Sequence, residues 1–246
     1  AAKKKGFKVL GIRIAETGDK PPRSADVGLV ASLLEGEKIV NALTAHHCGQ
    51  VMLCGKFDKK LHGLDFTKID SVSGSMMMRL QGRADMDIGR VVLEELESRG
   101  FEPANQIMIL NEFAAPRGVI SGEMIDPEQE KDVRLGLEVA KALAGFDVGQ
   151  TVVLAKGLVL AVEAAEHTNR CILRAGKLSF APITVVKAAR PDQDFRFDTP
   201  AVGTATLRTM KKAGATVLAI EAGRTLIVDK AFGRIAKELN IFVIGV

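Results

Sequence analysis

The sequence predicts an α/β protein of two domains, and three observations carry that expectation. Short β-branched runs alternate with segments of helical period, the pattern of strands joined by crossover helices. An irregular stretch near the middle interrupts this alternation, and a strong helix-start signal restarts it. The 246 residues suffice for two domains of ordinary size. The expected layout is an N-terminal Rossmann-like domain over 1–115, a linker over 116–125 and a C-terminal α/β domain over 126–246.

Taken in order, Phe7 to Ile14 and Gln50 to Cys54 read as strands, with Glu37 to Ala45 a helix between them. Asp87 to Arg99 reads as a helix, because Ile88, Val91, Val92 and Leu96 share one face at spacings of three and four. Gln106 to Leu110 reads as a short strand. Asn111 to Gly122, NEFAAPRGVISG, breaks the pattern. Asp126 is then an N-cap, with Pro127 in the first turn and Gln129 at the capping-box position. Val133, Leu137, Ala140 and Leu143 form the buried stripe of that helix. Thr151 to Glu163 predicts two strands turning at Lys156-Gly157. Thr204 to Lys212 predicts a helix, and Val217 to Val228 a second strand pair turning at Gly223-Arg224. Asp229 is the expected N-cap of a last helix that buries Phe232, Ile235, Ala236 and Leu239. The pairing is expected to be largely parallel.

Composition narrows the function. A hydrophobic fraction of 47% with 26% charged residues is that of a globular chain, and no apolar run reaches the length of a membrane span. Cys48, Cys54 and Cys171 have neither zinc nor disulfide spacing, which points to a reducing cytoplasm. The net charge of +4 suits an anionic partner. Nucleic acid is disfavoured, since Trp and Tyr are absent and the basic residues are dispersed.

The densest chemistry lies in ITVVKAARPDQDFRFDTPAVG, from Ile183 to Gly203. An apolar run ends in Lys187, and Arg190, Asp192, Gln193, Asp194, Arg196 and Asp198 follow within eleven residues. Cations at a strand end can hold a phosphate, and aspartates can hold a metal or a water. Two readings stand at this point: a phosphoryl-chemistry loop, or a solvated loop with scattered ion pairs.

This wording resembles the signature of the LpxI-type UDP-2,3-diacylglucosamine pyrophosphatases, approximately Lys-Ala-x-Lys-Pro-x-Gln-x-x-Arg-x-Asp-x-Pro-x-x-Gly. The likeness extends to FDVGQTVVLAKGLVLAVEAAEHT (Phe146 to Thr168), AIEAGRTLIVDK (Ala219 to Lys230) and the closing FVIGV (Phe242 to Val246). It is dense from Gly118 onward and weaker before it. It implies a hydrolase of lipid A biosynthesis in which water splits UDP-2,3-diacylglucosamine into UMP and 2,3-diacylglucosamine 1-phosphate. The rival reading is a non-catalytic sugar-nucleotide or lipid-phosphate binding protein on the same scaffold.

The resemblance implies roles residue by residue. Asp198 matches the aspartate on which turnover depends, and Lys187 faces the diphosphate. Arg190, Gln193, Arg196, Gly149, Gln150 and Thr168 are the expected substrate-binding residues. Mg²⁺ is the expected cofactor, held by Asp198, Glu163 and Glu166. Arg190 replaces the family's usual lysine, His167 replaces a glycine, and Asn169 replaces an aspartate. His167 is expected to be a surface substitution. The implied partner is a UDP-linked diacylated glucosamine lipid, met by a cytoplasmic protein in transient, peripheral contact with the inner membrane. Family members begin with a further strand, glycine-rich turn and helix. The opening AAKKKGFKVLGI reads as the tail of a helix entering a strand, so that first unit is expected to be missing.

Overall fold

The computed structural model describes residues 1–17, 24–55, 65–81 and 85–246. They form a mixed α/β protein of two compact units. The first is Ala1–Leu110 with Phe195–Asp198, and the second is Asn111–Asp194 with Thr199–Val246.

In the first unit, strands β1 (Leu10–Ile14) and β2 (Val27–Ala31) pair in parallel. So do β3 (Gln50–Val51) and β4 (Glu102–Pro103). Helices α1 (Gly36–Ala45), α2 (Ser71–Arg79) and α3 (Asp85–Ser98) accompany them. Leu43, Leu96 and Phe101 are the buried centre of this packing, with Ile12, Ile39 and Val92 against them. Asp70 serves two helix starts: its carboxylate accepts from Ser73 N at 2.8 Å in α2 and from Glu37 N at 2.7 Å in α1.

Gln106 to Leu110 is not a strand. Gln106–Ile109 is a short helix, α4, because the Asn105 side chain caps it by accepting from Met108 N at 3.2 Å. A local cap wins over a weak apolar pattern of only five residues. The strand expected over Gln50 to Cys54 is two residues long. β2 and α2 lie where no element was expected.

The second unit is built on a six-stranded sheet. Its members in chain order are β5 (Gly118–Ser121), β6 (Thr151–Ala155), β7 (Leu158–Val162) and β8 (Ile183–Lys187), with β10 (Ala215–Ile220) and β12 (Phe242–Gly245). The order across the sheet is β5-β12-β10-β8-β6-β7. In this sheet only β8, β10 and β12 pair in parallel; β5, β6 and β7 make antiparallel pairs. The sheet is therefore mixed. Two residues between β6 and β7 can join only antiparallel neighbours. Lys156 (φ 51) and Gly157 (φ 78) both take the left-handed conformation of a tight hairpin turn. The buried Asp132 carboxylate accepts from both of their amides, at 3.1 and 2.7 Å. The stretch 116–125, read as a linker, contributes the edge strand β5.

One face of the sheet carries α5 (Pro127–Gly145), begun by the expected capping box of Asp126 and Gln129. The other carries α6 (His167–Gly176), α7 (Thr204–Ala213) and α8 (Phe232–Glu238). Alternate strand residues serve the two layers: Val152 and Val186 face α5, while Val153 and Val185 face the helices opposite. The region after β10 departs from expectation. A two-residue strand, β11 (Leu226–Ile227), pairs in parallel with β9 (Ala201–Val202) and not with β10. Asp229 does not cap α8. Its carboxylate accepts from Thr204 N at 2.6 Å and so caps α7, whose own N-cap is the side-chain-less Gly203.

Candidate active site

The expected site residues fall into three groups. The first surrounds Lys187, the last residue of β8, whose ladder partner on β6 is Thr151. The sequence left open a lysine reaching for water. Instead its side chain is 7% exposed and that of Glu163, just after β7, is 11% exposed. Lys187 Nζ donates to Thr168 Oγ1 at 3.1 Å and to Thr151 Oγ1 at 3.4 Å. Thr168 Oγ1 donates in turn to Glu163 Oε1 at 2.8 Å. Glu163 Oε2 lies 3.7 Å from Lys187 Nζ. Burial pushes the Glu163 carboxyl up. Lys187, with hydrogen bonds from Thr151, Thr168 and the Gln150 backbone, outweighs it and holds the carboxyl below the usual carboxylate range. The result is a fixed cation at a strand end, braced by one carboxylate and two hydroxyls.

The second group fixes the loop after β8. Arg190 is buried and ion-paired with Asp147. Gln150 Nε2 donates to Gln193 Oε1 at 2.9 Å, which also accepts from Arg190 N at 3.2 Å. The next part of the chain clamps the same backbone. Glu221 accepts from Ala189 N at 2.9 Å, and Arg224 donates to Arg190 O at 2.6 Å and Pro191 O at 3.2 Å. Asp147, Thr151, Glu221 and Arg224 were not among the expected site residues. Glu221 and Arg224 stand in AIEAGRTLIVDK, whose charges at a strand end were the available signal. Gly149 has a packing reason: a Cβ there would sit 2.2 Å from Glu163 O.

The third group, Arg196 and Asp198, belongs to the first unit with the rest of Phe195–Asp198. Arg196 pairs with Glu97 at 2.7 Å, both exposed. Gln106 holds this segment: its N–H donates to Phe195 O at 2.8 Å and its Nε2 to Phe197 O at 3.0 Å. The Phe197 ring fills the space left by Gly89 of α3, where a Cβ would meet it at 2.3 Å.

Residues 1–113 match the LpxI N-terminal domain and residues 116–244 the LpxI C-terminal domain. The chain belongs to the LpxI family. The UDP-2,3-diacylglucosamine pyrophosphatase LpxI of Caulobacter vibrioides is 33% identical, over 90% of this chain and 81% of that protein.

Within the LpxI chain, Glu163 and Glu166 do not fit together as magnesium ligands. Glu163 is committed to Thr168 and Lys187, whereas Glu166 is ion-paired with Arg174, whose hydrogen bond lowers its titration. Among the described residues, no three His, Cys, Asp or Glu side chains are grouped so as to hold a metal ion.

His167 is exposed, as a surface substitution should be, but its backbone is strained at φ 68. The family's glycine at this place suits that conformation without the clash of a Cβ. His167→Gly is expected to raise the melting temperature by a few degrees, corresponding to about 1 kcal/mol. A lowered melting temperature would show that the imidazole contributes more than the strain costs.

Proposed function

We propose that this LpxI chain is itself a UDP-2,3-diacylglucosamine pyrophosphatase acting in lipid A biosynthesis. Water adds to one phosphorus of the diphosphate, the P–O–P bridge breaks, and UMP and 2,3-diacylglucosamine 1-phosphate leave, with the surplus proton lost to solvent. The identity to the Caulobacter vibrioides enzyme across nearly the whole chain carries the reading. The buried Lys187 supports it, because a pre-positioned cation stabilises negative charge as it develops on transfer. Asp198 orients the attacking water and Arg196 contributes further positive charge. Arg190, Gln193 and Gln150 shape the loop that receives the diphosphate, and Thr168 aligns Lys187.

Magnesium enters this proposal through Asp198 and the substrate. Mg²⁺ commonly binds one or two carboxylates together with substrate phosphates, without a protein cage. When bound, it would neutralise the diphosphate. Chromatography of the uridine product tests both parts. UMP is expected with magnesium, and its formation is expected to fall sharply in excess EDTA. Equal rates in EDTA would remove the metal from the proposal, and uridine diphosphate as the product would overturn the reaction assigned.

A further inference from the structure

The outer surface of α6 and α7 carries many cations and few carboxylates. The two helices pack side by side, with Gly176 admitting the α7 backbone: a Cβ there would lie 2.6 Å from Ala213 O. Cys171, Ile172 and Ala175 of α6 and Leu207 and Met210 of α7 face the sheet. The opposite faces expose Arg170, Arg174 and Lys177, then Arg208, Lys211 and Lys212. Neither helix contains an Asp or a Glu. Among the described residues, the carboxylate paired with these cations is Glu166, on Arg174. On the flanking α8, Arg234 pairs with Glu238, and Lys237 adds a further cation. The α5 layer differs, since its exposed Glu128, Glu130 and Glu138 balance Lys131 and Arg134.

Apolar side chains stand among these cations. Leu173 is 40% exposed and Leu178 is 57% exposed, and Phe180 is fully exposed. Leu173 shares the helix face of Arg170, Arg174 and Lys177, and Leu178 and Phe180 follow directly after the helix.

We propose that the α6–α7 face docks flat on an anionic lipid bilayer, with Phe180 and Leu178 entering the headgroup boundary and the lysines and arginines meeting lipid phosphates. Basic residues interleaved with Phe and Leu are the chemistry of interfacial binding. A second copy is a poor occupant, because a two-fold contact would set these cations against themselves. Nucleic acid would match the charge and leave the leucines unused. Thr168, at the first turn of α6, touches Lys187, so a docked α6 puts lipid within roughly 15 Å of that lysine, the length of ten helical residues. The proposal rests on this surface and not on the assigned reaction.

Cosedimentation of the full chain with vesicles tests it. Binding is expected to vesicles of equal parts phosphatidylglycerol and phosphatidylcholine, to weaken with salt, and to be absent with phosphatidylcholine alone. Lys177→Ala/Lys211→Ala/Lys212→Ala should weaken binding on the order of a hundredfold, at about fivefold per cation. Phe180→Ala should weaken it separately, and all variants should melt like the parent. Undiminished binding by the triple variant would overturn the proposal. So would binding to duplex DNA without vesicle binding, or self-association that Phe180→Ala abolishes. Hydrolysis of detergent-dispersed substrate separates the two claims. Turnover without vesicle binding sinks the docking surface alone, and vesicle binding without turnover sinks the reaction alone.

Discussion

Asp198→Ala is expected to lower kcat by at least about a hundredfold while the protein still folds and still binds substrate. A group that orients the attacking water acts on the transition state, so its loss appears in kcat without a matching rise in KM. The backbone around it does not depend on the carboxylate alone. Gln106 bonds to Phe195 O and Phe197 O, and the Phe197 ring is seated over Gly89. The stability loss is therefore expected to stay near the roughly 1 kcal/mol of a lost turn contact. Calorimetric titration with substrate, beside steady-state rates, separates the effects. Wild-type kcat with an unchanged melting temperature would remove Asp198 from the mechanism and favour a binding protein on this scaffold.

Lys187→Met is expected to cost both activity and stability. Breaking a buried ion pair by removing one partner typically costs about 3–5 kcal/mol, since the other charge stays buried and uncompensated. The pH dependence identifies that cause. In the wild type the folded-state titration of Glu163 is depressed. Its stabilising contribution is complete above the ordinary carboxylate range and is lost as pH falls through the lowered value. In the variant, burial acts without the lysine and pushes the carboxyl up, so acid relieves the buried charge. The stability gap should thus be widest at neutral pH and narrow on acidification. Lys187→Met/Glu163→Leu should recover much of the stability and none of the turnover. Chemical denaturation across pH checks this. A gap independent of pH would deny the coupling, and an active double variant would deny Lys187 its role.

The sequence made the two-domain α/β class legible because its signals were local. Asp126-Pro127 with Gln129, and Lys156-Gly157 between β-branched runs, specify a helix start and a hairpin without help from the rest of the chain. The mixed sheet was not legible in full, since the antiparallel placement of β5 against β12 is set by residues far apart in sequence. Asp229 looked like a cap for the helix that follows it and instead caps α7, supplying the acceptor that Gly203 lacks. At the site, a wording match named Lys187, Glu163 and Thr168, and the fold brings their side chains into contact. The same match grouped Glu163 with Glu166, although Arg174 holds the second carboxylate separately. A three-residue spacing could not reveal that competing partner. Arg190 read as a ligand for substrate, and the spacing gave no sign of the ion pair it makes with Asp147.

Phosphorus NMR of the purified chain with UDP-2,3-diacylglucosamine tests the central claim most directly. The account predicts that the two coupled diphosphate resonances disappear and two monoester resonances grow in equal amounts, one of them UMP. Persistent diphosphate resonances, broadened by binding and never replaced, would contradict it.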